Sequence, residues 1–171
     1  MDALVTLLIW SWFSAAIAIT DTDQNMTDFL WKGCDAICPY CKNTEFNAFW
    51  TECIFLVTNA IFFIFSFRLA ERELYKIAIQ FYLLGLVSLW FHFNQCITGG
   101  NTDDTKKSCF IDFATIIVTL VTILYYFGPN IKMIILGLLC YPVFMHAGKY
   151  YIWTHSLWHI LGALSLYTAT V

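Results

Sequence analysis

Apolar residues in this chain gather into long blocks with short polar interruptions. After a polar segment from Asp21 to Glu45, five blocks follow, at roughly 46–67, 75–98, 109–127, 131–147 and 149–171. Each is close to the ~20 residues that an α-helix needs to cross ~30 Å of hydrocarbon, although the fourth is short. The breaks between them are brief: Arg68 to Leu74, Gly99 to Ser108, and Gly128-Pro129-Asn130. Backbone polar groups in lipid must be satisfied within the segment, so the blocks predict helices. Short connections and the lack of an internal repeat predict one all-α membrane bundle of about five transmembrane helices over residues 46–171.

Composition sharpens this picture. Of the 171 residues, 60% are hydrophobic and only 12% charged, against about 25% charged in a soluble domain. Mean hydropathy is +0.67. A chain of this length has too little interior to hide so much apolar surface from water, which excludes an ordinary cytosolic globule. Disorder needs low hydrophobicity and high charge, so it is excluded too. A net charge of −3 suggests no nucleic-acid partner.

Met1 to Ile19 carries a further apolar run ending in Ala15-Ala16-Ile17-Ala18, where Ala16 and Ala18 fit a signal-peptidase site. The run reads as a cleaved signal peptide or, because it offers Asp2 and no Lys or Arg before its apolar part, as an extra anchor helix. A cleaved signal predicts a membrane protein of the secretory pathway with residues 20–45 lumenal or extracellular. Asn25-Met26-Thr27 is a glycosylation sequon in that segment. Arg68, Arg72 and Lys76 would then lie at a cytoplasmic turn.

Cys34, Cys38 and Cys41 lie in the N-terminal segment, and Cys96 and Cys109 flank the Gly99–Ser108 loop. All five fall on the side where disulfides persist. Cys96 with Cys109 predicts a loop staple. Cys38-Pro39-Tyr40-Cys41 has the spacing of a redox or zinc site, but reads first as disulfide material. Cys53 and Cys140, inside helices, read as packing residues.

Ionisable groups inside spanning segments are costly and therefore point to function. Here they are Glu52, His92, Asp112, His155 and His159, with Asn59 and Ser88 as polar companions. Ser88 and His92 are spaced i, i+4 and share a helix face, as do His155 and His159. With helices alternating in direction, the end of the second block and the starts of the third and fifth lie on one side. At 1.5 Å per residue, His92 comes out ~9 Å from its block's end and Asp112 ~5 Å from its start, while His155 and His159 lie ~9 and ~15 Å deep. All belong to one leaflet. Three converging imidazoles with a carboxylate and a hydroxyl nearby predict a catalytic zinc, which takes three protein ligands and leaves a position open. Asp112 would take a proton from water, and Ser88 would orient His92 or an oxyanion. Hydrogen bonding between helices, bis-histidine haem ligation through His92 and His155, and a proton path are the alternatives that spacing leaves open.

Ser88-Leu89-Trp90-Phe91-His92, then Asp112, then His155-Ser156-Leu157-Trp158-His159 resembles the CREST superfamily of membrane metal-dependent hydrolases. Its pattern is S-x3-H late in one helix, an Asp at the start of the next, and H-x3-H in the last. The segment His92-Phe93-Asn94-Gln95-Cys96, the gap to Asp112, and Leu56-Val57-Thr58-Asn59-Ala60-Ile61-Phe62 look most like the transmembrane-8 branch, which includes a post-GPI-attachment phospholipase and myomaker. The alkaline ceramidases come second; like them, this chain has Glu and Asn seven apart, at Glu52 and Asn59. The resemblance implies zinc on His92, His155 and His159, catalysis by Asp112 and Ser88, and a membrane lipid as substrate, split at an ester or amide bond. It equally implies a second class, a non-catalytic receptor-like or fusogen-like protein with a structural metal. These families have seven helices, so the five blocks here leave two fewer between Asp112 and His155.

Overall fold

The computed structural model describes Ile54 and residues 56–98, 102–145 and 151–171. The N-terminal run 1–19, the segment 20–45 with Asn25, Cys34, Cys38 and Cys41, and Glu52 and Cys53 lie outside the described residues. Among the described residues, five α-helices correspond to the five apolar blocks: α1 Ala60–Glu71, α2 Tyr75–Thr98, α3 Asp103–Phe127, α4 Ile131–Met145 and α5 Tyr151–Thr168. Among the described residues there is no strand. At 24 and 25 residues, α2 and α3 extend ~36–38 Å. Both are long and apolar enough to cross a membrane, and Ile131–Cys140 is a shorter apolar stretch in α4.

The helix ends explain where the apolar blocks misjudge the boundaries. Hydropathy delays the start of α3 to Cys109, but the helix begins at Asp103, six residues earlier. Thr102 caps it: its extended backbone lets Oγ1 accept the Thr105 N–H at 3.3 Å. Asp103 and Asp104 then sit in the first turn, where negative charge favours the helix dipole. Asp112 therefore lies ~14 Å into the helix rather than ~5 Å. At the other end of the molecule, α1 stops in a Schellman motif. The Leu74 N–H bonds the Leu69 carbonyl and the Glu73 N–H bonds that of Ala70, with Glu73 in the left-handed region at φ 62°. Leu74 packs back onto the core that contains Leu69. Gly128, at φ 71° and ψ 174°, ends α3 in a conformation essentially confined to glycine.

The main interfaces are α1–α2, α2–α3 and α4–α5, with a smaller one between α1 and α5. Gly85 allows α1 and α2 to approach closely: a Cβ there would meet Phe63 Cζ at 3.0 Å and Phe62 Cβ at 3.1 Å. The apolar core comprises Phe62, Leu69, Phe81, Leu84, Ile123, Met133 and Leu166 with smaller neighbours. On α2 the outward face carries Ile79, Tyr82, Leu86 and Phe93, whereas Gln80, Ser88, His92 and Gln95 are buried. On α3, Asp112, Thr115, Thr119 and Thr122 are likewise buried while Ile117 and Val121 are exposed. The interior thus holds polar groups of α2 and α3 beside the apolar core, while the outer surface is apolar. The three threonines make this arrangement affordable, because each hydroxyl donates to the carbonyl four residues back at 2.7–2.8 Å.

Candidate metal centre

His92 on α2 and His155 and His159 on α5 come together as the sequence spacing predicts. They are 0%, 4% and 0% exposed, and one ligand nitrogen from each lies within 4.8 Å of the others. Ring centroids are 4.7–4.9 Å apart for every pair. His155 and His159 meet because four residues make about one helical turn. His92 comes from α2, and the chain just before α1 also passes the cluster, with Thr58 Oγ1 3.1 Å from His159 Nδ1. There the chain tightens into i→i−3 hydrogen bonds, Asn59 N–H to Leu56 O and Ile61 N–H to Thr58 O at 3.1 and 3.3 Å. The three buried imidazoles can hold a metal ion.

Their hydrogen bonds form a directed line. His92 Nδ1 lies 3.1 Å from Gln95 Oε1, His92 Nε2 lies 2.9 Å from His159 Nε2, and His159 Nδ1 lies 3.1 Å from Thr58 Oγ1. An amide oxygen only accepts, so His92 carries its proton on Nδ1 and leaves Nε2 bare. With one proton on each ring, the proton between the two Nε2 atoms belongs to His159. The Nδ1 of His159 is then bare and accepts the Thr58 hydroxyl. Every donor in the line points from Thr58 toward Gln95. The pair weighed for haem, His92 and His155, has ring centroids 4.9 Å apart at 77°, too close for a porphyrin to lie between them in this arrangement.

Ser88 and Asp112 also meet. Both are buried, and the Ser88 hydroxyl lies beside the Asp112 carboxyl. Asp112 Oδ1 has no hydrogen-bond partner among the described residues. Ser88 stands one turn before His92, so this pair is about 5–6 Å along α2 from the imidazole position. Asp112 is not part of the group of converging ligand atoms, which is His92, His155 and His159 alone.

Other candidates are placed differently. Asn59 is fully buried in the interruption before α1, where its Nδ2 donates to Leu56 O at 3.3 Å. Cys96 is half-buried on α2 and Cys109 is buried in α3. The early start of α3 puts Cys109 inside a helix rather than at a loop end. The residues that the sequence reading missed are Thr58 and Gln95. Gln95 had a local signal, an amide three residues after His92 in an apolar helix, whereas Thr58 has none. Comparison with family models, curated proteins and solved structures finds no match to this chain.

Proposed function

We propose that this chain is a multi-pass membrane protein that hydrolyses an ester or amide bond of a membrane lipid at a three-histidine zinc centre. The observation that carries the reading is the convergence of His92, His155 and His159 beside a buried Ser88–Asp112 pair. The apolar exterior supports lipid as the surrounding solvent, because an outer surface bearing Ile64, Phe67, Ile79, Val121, Leu138 and Leu157 exceeds what a soluble monomer exposes. The resemblance to the transmembrane-8 branch supports the substrate class. A signal sequence and a lumenal N-terminus would place the metal centre in the lumenal leaflet.

The donor set fits zinc. Three neutral imidazoles are a common catalytic ligand set, and His92, His155 and His159 would hold the ion. When bound, zinc would act as a Lewis acid toward a fourth ligand. Asp112 Oδ1 is the atom available to take a proton from water and return it to the leaving group. Ser88, beside the carboxyl, would orient it.

The test is fatty-acid release from GPI-anchored, phospholipid and ceramide substrates, with zinc measured on the same samples. Asp112→Asn should lower turnover by about 10²–10⁴-fold while zinc stays bound, because an amide cannot accept the proton. Equal release from both proteins would remove Asp112 from the chemistry. One observation favours a second reading, a structural metal in a non-catalytic protein: His92 and His159 bond directly in a fully buried cluster. Under that reading the wild type binds zinc and releases nothing.

A further inference from the structure

Two side chains outside the Ser–His, Asp and His–His pattern contact the outer nitrogens of two of the imidazoles. Gln95 Oε1 contacts His92 Nδ1, and Thr58 Oγ1 contacts His159 Nδ1, each at 3.1 Å. They approach from different elements, Gln95 from the last turns of α2 and Thr58 from the interrupted segment before α1. Resting on the zinc reading above, we propose that Gln95 and Thr58 are positioning residues for the metal, and that Thr58 works in two directions. Gln95 is a permanent acceptor. It keeps the proton of His92 on Nδ1, so Nε2 is ready for a metal whether or not one is present.

His159 differs. In the directed line its proton sits on Nε2, the nitrogen that faces His92 and the shared centre. A metal there requires that nitrogen bare. The proton must leave Nε2, and with the ring still neutral it reappears on Nδ1, facing Thr58. The hydroxyl then turns from donor to acceptor, and its own proton rotates toward a backbone carbonyl of the preceding turn. Proton count is conserved on both groups: one on His159 and one on Thr58 before and after. A hydroxyl is the side-chain group that serves both states without changing charge. A valine serves neither, while serine retains the function. Partners on the outer nitrogens of metal-bound histidines set ring orientation, tautomer and basicity.

The experiment measures zinc affinity of the full chain in detergent micelles by competition with a chelator. The proteins are wild type, Thr58→Val, Thr58→Ser, Gln95→Leu and Gln95→Glu. Thr58→Val and Gln95→Leu should each weaken zinc binding about 10–100-fold. Thr58→Ser and Gln95→Glu, which keep the oxygen, should stay within a few-fold of wild type. Imidazole 15N NMR supplies the second readout: in the wild type, His159 should change its protonated nitrogen from Nε2 to Nδ1 on zinc addition, while His92 keeps Nδ1–H throughout. Zinc binding in the wild type with equal affinity in Thr58→Val and Gln95→Leu would overturn this assignment and leave the zinc centre standing. Serine and glutamate variants as weak as the valine and leucine ones would also overturn it, since shape rather than the hydrogen bond would then matter. A wild type that binds no zinc would overturn the metal reading and this assignment together.

Discussion

The two ends of the bundle use polar side chains for opposite purposes. At the end where α1 meets α2 and α3 meets α4, several polar side chains bond backbone, although Gln80 Nε2 donates to Thr122 Oγ1 at 3.2 Å. Asn130 Oδ1 accepts the Met133 N–H that starts α4, and its Nδ2 donates to Thr168 O at the end of α5, both at 2.8 Å. Ser165 donates to Met133 O at 2.8 Å, Ser66 to Ala78 O at 2.7 Å, and Arg72 to Thr170 O at 3.0 Å. The Asn130 and Arg72 bonds satisfy main-chain groups at helix termini, while Ser66 and Ser165 tie neighbouring helices together through carbonyls near the starts of α2 and α4. At the histidine end, His92, His159, Gln95 and Thr58 bond one another, and Ser88 lies beside Asp112. These groups lie two or more turns inside their helices in the case of Ser88, Asp112 and His159, where backbone bonds are already complete. Polar groups that solve no backbone problem, in segments where they are costly, point to chemistry.

This contrast can be broken most sharply by removing imidazoles. His155→Ala or His159→Ala should abolish stoichiometric zinc, read by metal analysis of the purified protein, because two ligands hold a catalytic zinc poorly. Zinc retained in the double variant would make the histidine end as structural as the other. A smaller effect is expected at the turn end. Asn130→Ala removes a helix cap and a bond to the Thr168 carbonyl, and should cost about 1–3 kcal/mol in unfolding measured in micelles, with zinc content unchanged. Loss of zinc in that variant would show that the two ends are coupled. The smallest effect belongs to Glu73→Gly. The left-handed backbone at φ 62° suits glycine, so the replacement should raise stability by about 0.5–1 kcal/mol and leave zinc binding as it was.

Much of the fold was legible because lipid-compatible helices announce themselves locally. The five blocks map onto α1 to α5, and the histidine pair of α5 needed only the helical repeat. The start of α3 was legible too, in Thr102 followed by two acidic residues, but hydropathy alone passes over a charged first turn. Alternating helix direction was enough to put His92, Asp112, His155 and His159 at one end. It could not say which of them touch.

Sequence by itself therefore determined the helical elements, their order, and the polar residues that do not belong in apolar segments. Those follow from terms that act within one helix: backbone hydrogen bonding, burial of apolar faces and the 3.6-residue repeat. Only the tertiary structure decided that Asp112 lies beside Ser88 rather than joining the imidazoles. It also decided that Thr58, 101 residues from His159 in the chain, sets the outer hydrogen bond of that ring. The physical reason is that interhelical contacts depend on rotation and depth of packed helices. Those are governed by close approaches such as Gly85 against Phe62 and Phe63, which no single segment encodes.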